Sequence, residues 1–292
     1  MTTDRTAAAE APEASLSSPQ VPATLAGAAR AIVSAADPAC KVALAQQAAG
    51  AWQRREMTLS VLSDARPMPD RPGRPERPAL LAPRAMPKRT TAGLEGRIAL
   101  LHALAHIELN AVDMTWDLIG RFHRADVPRA FFDNWVQVGL EEAKHFSLVC
   151  ARLAELGAAY GDLPAHDGLW QSAQETGHDL LARTAIVPLV LEARGLDVQP
   201  SMLAKLKGHG DEASAKVLEI IYRDEKRHVA YGARWFRYLC ERERLPIEPT
   251  FHALVRRYFR SPLKPPFNDL ARAEAGLTPG FYKPLVSSAF VA

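Results

Sequence analysis

Cysteine is scarce in this chain of 292 residues: Cys40, Cys150 and Cys240 lie far apart with no paired spacing. That argues against a disulfide framework and against a cysteine metal site, and leaves all three to be read as small buried hydrophobes. Long apolar runs are missing too. The longest of note, Ala185 to Leu191, is far short of the roughly 20 residues that cross a bilayer. The N-terminus lacks the continuous apolar core of a secretory signal, so a cytoplasmic protein without a membrane partner is expected. Rossmann and P-loop glycine patterns are absent, as is any alternating strand pattern, which leaves an all-α class. No excess of one charge exists either. A net +3 is too small to demand a nucleic-acid partner.

Proline, by contrast, is plentiful in one place. Between Arg66 and Pro87 it occupies positions 67, 69, 72, 75, 78, 83 and 87, which denies the backbone helix and ladder hydrogen bonds and predicts an extended strap. Arg71, Arg74 and Arg77 alternate with these prolines. They read either as a phosphate-binding arm or as partners of surface acids. Residues 1–22 are rich in Ala, Pro, Ser and Thr, cannot offset the entropy of ordering, and are expected to be a disordered tail. Residues 23–92 then hold two short helices, separated at Asp37-Pro38, and the strap. Four long helical stretches follow, roughly 93–120, 128–157, 168–195 and 211–243. Gly120, Gly157 and Gly195 mark the ends of the first three, and Asp211 is the N-cap of the fourth. Residues 244–292 form a C-terminal extension expected to pack on the 93–243 unit.

The chemistry lies in what interrupts the apolar stripes of these helices. Glu142-Ala-Lys-His145 and Glu225-Lys-Arg-His228 each place a carboxylate and an imidazole three residues apart, on one helix face. The pattern alone is weak, because Glu175-Thr-Gly-His178 also matches it. On a continuous third helix Glu192 would lie 17 residues beyond Glu175, about 25 Å along the axis, so Glu175 and His178 read as surface or cap residues. The other two pairs sit among Trp135, Val138, Phe146 and Val149, and among Val217, Ile221 and Val229. A buried carboxylate there needs a compensating cation. Glu108 and Glu192 likewise break the apolar stripes of the first and third helices. Glu108 precedes Glu142 by 34 positions and Glu192 precedes Glu225 by 33, as in two antiparallel hairpins of matched length. Glu, Glu-x-x-His, Glu, Glu-x-x-His is the ligand order of ferritin-like four-helix bundles, and it singles out Glu108, Glu142, His145, Glu192, Glu225 and His228.

Three neighbouring features need their own reading. His102, His106, Asn110, Asp113 and Asp117 form a polar stripe on the first helix. His106 is about 200° round the helix from Glu108, so the stripe reads as a hydrogen-bonded interface with another helix or the strap. Glu141 and Asp224 stand immediately before the bridging candidates. Crosswise pairing, Asp224 with His145 and Glu141 with His228, would orient the imidazoles; the alternative is that both acids face solvent. Pro188, one turn before Glu192, removes a backbone hydrogen bond and either loosens the third helix or merely kinks it.

Gly-Arg-Pro-Glu-Arg-Pro (73–78), Pro87-Lys-Arg, Ala105-His-Ile-Glu108-Leu-Asn-Ala, Glu142-Ala-Lys-His145, Leu191-Glu-Ala-Arg-Gly-Leu, Asp224-Glu-Lys-Arg-His228, Pro266-Phe-Asn and the Ala-Gly-Leu-Thr-Pro that ends at Pro279 together resemble a bacterial ferritin-like family labelled a domain of unknown function. The resemblance covers nearly everything after residue 23 and implies a di-metal carboxylate site at the six residues named. The expected cofactor is two iron ions, with manganese or a mixed pair as the alternative. The expected activity is a non-haem di-iron oxidoreductase acting with dioxygen on a small organic substrate. An electron-donor protein and a homodimer are compatible with it. The alternatives are a ferroxidase or iron-handling protein, in which iron is the substrate, and a metal-stabilised binding module.

Overall fold

The computed structural model describes residues 21–60, 66–87 and 93–286. The expected disordered tail lies outside the described residues except for Val21 and Pro22, as do Lys88 and Arg89 just past the strap and residues 287–292 of the C-terminal extension.

Thr24 caps α1 (Leu25–Ser34) by accepting from the Gly27 amide at 3.1 Å. Asp37 caps α2 (Pro38–Gln53) by accepting from the Cys40 amide at 2.7 Å, and Pro38 takes the first helical position, where its missing N–H costs nothing. The two helices cover α3 (Gly93–Arg121) and α4 (Arg129–Glu155) from outside. Trp52 secures α2 to α4 by donating its indole N–H to Asp133 at 2.8 Å. Of the cysteines, Cys240 is buried, whereas Cys40 and Cys150 are only partly covered.

The strap is tied down at both faces. The Gly73 amide donates to the Val33 carbonyl at 2.8 Å, and a Cβ there would fall 2.3 Å from the Ser34 oxygen, so only glycine fits. Arg71 pairs with Asp167 and Arg74 with Asp113, while Arg121 and Trp170 donate to the carbonyls of Pro69 and Asp70. Arg71 and Arg74 thus meet acids, but Asp113 is fully buried and not the surface acid expected. Leu80–Leu81 (β1) adds a two-residue parallel pairing with Ala165–His166 (β2). Otherwise the described residues are overwhelmingly helical.

α3, α4 and α8 (Glu212–Arg242) run unbroken, and Asp211 caps α8 through the Ser214 amide at 3.1 Å. The third stretch differs from the expected single helix over 168–195. α5 (Gly168–Glu175) stops at Thr176, whose hydroxyl turns back to the Ser172 carbonyl at 2.8 Å. Asp179 then caps α6 (Leu180–Ile186) through the Ala182 amide, a π-helical turn spans Val187–Glu192, and α7 (Ala193–Gly208) carries on. Gly195 therefore ends nothing. Leu196 and Leu206 are buried, and their burial holds the helix together past it. Pro200, inside α7, frees the Leu196 carbonyl, which accepts from the Asn268 side chain at 3.2 Å instead.

α8 packs on α4, α6, the π turn and α7, whereas α3 packs on α1, α4 and α5 and makes no extensive contact with α7. Beyond α8 come α9 (Ile247–Leu254), α10 (Asp269–Glu274) and α11 (Pro279–Tyr282). Phe251, Phe281 and Tyr282 from these helices join Leu189, Val229 and Phe236 in one buried apolar cluster. No described helix is long and apolar enough to cross a membrane.

Candidate metal centre

The six residues converge. Glu108 comes from α3, Glu142 and His145 from α4, Glu192 from the end of the π turn, and Glu225 and His228 from α8; none is more than 8% exposed. Potential ligand atoms of Glu108, Glu142, His145 and Glu225 lie within 4.8 Å of one another, as do those of Glu192, Glu225 and His228, so Glu225 belongs to both groups. His145 Nδ1 is 3.4 Å from Glu108 Oε2 and 3.4 Å from Glu142 Oε2. His228 Nδ1 is 2.8 Å from Glu142 Oε1 and 3.9 Å from Glu225 Oε2. Glu142 thus turns one oxygen to each ring.

These contacts are close approaches without hydrogen-bond geometry. Glu108 Oε2, both oxygens of Glu142, His145 Nδ1, both oxygens of Glu192, Glu225 Oε2 and His228 Nδ1 are all buried with no hydrogen-bond partner among the described residues. Leaving one such group unsatisfied costs about 1–3 kcal/mol, and more if it is charged. Eight in one place indicate an arrangement built around something that ligates, and the buried Glu/His cluster could hold metal ions.

The outer nitrogens are satisfied crosswise. His145 Nε2 lies 3.2 Å from Asp224 and His228 Nε2 2.8 Å from Glu141. A carboxylate only accepts, so each Nε2 carries the proton, and in the neutral ring the Nδ1 lone pair points into the cluster. Lys144 and Arg223 hold Asp224, while Arg227 and Gln137 hold Glu141, so neither acid faces solvent freely.

Burial dominates the electrostatics of the inner carboxylates. It pushes Glu108 up to about 7 and Glu192 up to about 8, helped by the neighbouring charge of Glu142, and lifts Glu225 well above its ordinary value. Burial also opposes ionisation of Glu142, but the charges of His228 and His145 overcome it and hold that carboxyl low. Both imidazoles would be driven neutral by burial alone. Asp224, Glu108 and Glu142 around His145, and Glu142 and Glu141 around His228, raise them instead.

The π turn places Glu192. The Ala193 amide reaches the Pro188 carbonyl five residues back, and Pro188 packs on α8 where Gly232 leaves room; a Cβ on Gly232 would lie 2.4 Å from the Pro188 Cβ. π turns of this kind recur at functional sites.

The remaining sequence candidates lie elsewhere. Glu175 ends α5 near Arg260, and His178 Nε2 is 3.2 Å from the Tyr258 hydroxyl. The break after Glu175, not distance along one helix, separates them from Glu192. The polar stripe of α3 is a hydrogen-bonded interface. His102 accepts from the Gly161 and Leu163 amides, His106 meets Tyr160 and the His166 carbonyl, Arg74 reaches Asn110, and Asp117 binds Arg121 and Arg183. Burial lowers His106 to about 4, so it is a neutral ring. Sequence reasoning missed the buried cations that complete this stripe, Lys41 against Asp113 and Arg183 against Asp117. Their only signal was the pair of acids awaiting partners.

Comparison with known proteins places the chain in a family. Residues 34–283 match the family described as "Protein of unknown function (DUF455)". A protein of Haemophilus influenzae, described as uncharacterized, is 44% identical over 209 residues, covering 70% of this chain and 73% of its own. No solved structure matches.

Proposed function

The chain belongs to the DUF455 family, a membership that assigns no activity, and from the site we propose a ferritin-like four-helix bundle that holds two iron ions and oxidises or hydroxylates an organic substrate with dioxygen. One observation carries this reading: eight orphaned buried ligand atoms converge from α3, α4, the π turn and α8. In this proposal Glu108 and Glu192 would each serve one ion, while Glu142, with one oxygen toward each imidazole, and Glu225, which belongs to both groups, would serve both. Four carboxylates neutralise two divalent cations, and carboxylate with imidazole suits iron or manganese.

Iron bound there would supply two-electron chemistry: with two electrons from an external donor and two protons, dioxygen and R–H would give R–OH and water. The chain's own residues prepare for this. Asp224 and Glu141 fix the proton on each Nε2 and turn each Nδ1 inward. Leu104, Val138 and Ile221, one turn from the ligands and buried, keep water out.

Elemental analysis of protein purified without added metal, followed by oxygen uptake with a reductant and a panel of organic substrates, tests the proposal. Two irons per chain and substrate-dependent uptake are expected. A saturated protein holding one metal or none refutes the centre. Two irons whose oxygen use follows iron oxidation and mineral formation would replace the oxidoreductase by a ferroxidase.

A further inference from the structure

α3 carries Glu108 and α7 begins just after Glu192, yet the two helices make no extensive contact. Between the first half of α3 and the last half of α7 lies a cavity of about 510 Å³, lined on its apolar side by Gly96, Ala99, Leu100, Ala103, Met202 and Leu206. That size is ordinary for a small-molecule site. Four of the ten lining residues, Gly93, Gly96, Ala99 and Ala103, are Gly or Ala, which is what keeps the space open. Leu94 and Ile107, on the same part of α3, are among the few large apolar side chains left exposed, at 48% and 43%.

The charged lining is basic. Arg97, Lys205 and His209 contribute to it, and no acid does. Arg97 already pairs with Asp211 at 3.2 Å, but Lys205 is exposed and forms no ion pair among the described residues. The cavity also lies in line with the cluster. From Glu192 into α7, Gly195, Gln199, Met202 and Leu206 follow one another in steps of three or four, hence on one face. Gln199 lies midway along it, 6% exposed, and its buried Oε1 has no hydrogen-bond partner among the described residues. The opposite approach is shut, because Asp224 and Glu141, with Lys144, Arg223 and Arg227, close the face beyond the two imidazoles.

We propose that this cavity is the substrate site and takes an elongated amphipathic anion: an apolar body along Leu100, Ala103, Met202 and Leu206, with a carboxylate or phosphate head held by Lys205 and Arg97. Arg97 precedes Glu108 by 11 residues and Lys205 follows Glu192 by 13, so helical rise puts the head roughly 16–20 Å from the carboxylates. The chemistry done on this ligand rests on the di-metal proposal; its binding does not.

Calorimetric titration of the protein as purified with decanoate, decyl phosphate and decanol, each below micelle-forming concentrations, tests it. One molecule of either anion should bind per chain, with decanol at least about tenfold weaker, and the better anion identifies the head group. Lys205→Gln should weaken both anions about two- to fivefold, as for an exposed ion pair, and leave decanol unchanged. Ala103→Trp, or Met202→Trp if the first does not fold, should block all three ligands while metal content stays the same. Equal binding of decanol and decanoate, or undiminished binding by a folded Trp variant, overturns the proposal. So does a Trp variant that instead splits a dimer while the parent binds no amphiphile, which would make the face an interface between copies. Amphiphile binding by a protein without metal removes the di-metal reading alone; two metals without amphiphile binding removes this one alone.

Discussion

Loading the centre with two divalent ions should release about four protons per chain at pH 7. Glu192, raised to about 8, is mostly protonated at that pH, Glu108, at about 7, is half so, and burial lifts Glu225 well above its ordinary value. His145 and His228 are both raised well above 6.5, and each must lose a proton before Nδ1 can ligate. Electroneutrality sets the figure: four buried carboxylates and two neutral rings need about four positive charges, as protons or as two divalent ions. Anaerobic calorimetric titration of metal-free protein with ferrous ion, repeated in buffers of different ionisation enthalpy, counts the protons directly. The number should fall as pH rises toward 9. Release of fewer than one proton at pH 7 would refute the reasoning, because the ligands would then already be ionised and the apo cluster not held neutral by burial.

Metal-free protein should lose stability between pH 5 and pH 8. The raised carboxyls of Glu108 and Glu192 and the raised imidazoles make the folded state bind more protons than the unfolded one, so the stability they confer is present at low pH and lost as pH rises through their folded values; an apo melting temperature that climbs over this range contradicts the assignment. Gly232→Ala should cost about 1–3 kcal/mol by overpacking Pro188 and, by shifting the turn that ends in Glu192, should lower metal content. Denaturant unfolding and elemental analysis read both effects, and a neutral variant with full metal would show that Pro188 moves freely. Glu225→Ala should lose at least one metal and all oxygen chemistry, Glu175→Ala should keep both, and His106→Ala should keep two metals while losing stability through Tyr160 and the His166 carbonyl. The reverse order in metal analysis would move the site to the polar stripe of α3.

The convergence of the six acidic and imidazole residues was legible because each interrupts an otherwise apolar helical stripe, a signal that needs only periodicity. Even the crosswise partners Asp224 and Glu141 could be named, since an acid next to a bridging candidate points one step round the helix toward the facing histidine. The interior of the third stretch was not legible. Gly177 and Asp179 are weak punctuation, and Thr176 and Asp179 stop and restart the helix through side-chain hydrogen bonds. Gly195 looks like a terminus, but buried Leu196 and Leu206 override it. Buried Lys41 and Arg183 could not be read either. Both sit in sequence among ordinary helical residues, and only the tertiary approach of Asp113 and Asp117 makes their burial tolerable. The cavity between α3 and α7 depends on two helices making no extensive contact, which no local pattern encodes.

The π turn at Val187–Glu192 also sets phase. Adding one residue to a helix rotates everything beyond it by about 100° relative to an unbroken run. α6 can therefore present one face to the apolar cluster around Phe236 and Phe251, while α7 presents Gln199 and Met202 on a stripe whose angle is chosen separately. Glu192 sits at the seam. Substitutions within the turn leave this angular offset in place, whereas deleting a single residue would swing Glu192 out of line with Glu225 or turn α6 away from its packing. The length of this six-residue segment, more than its composition, is then what uncouples the orientation of the cluster from that of the cavity.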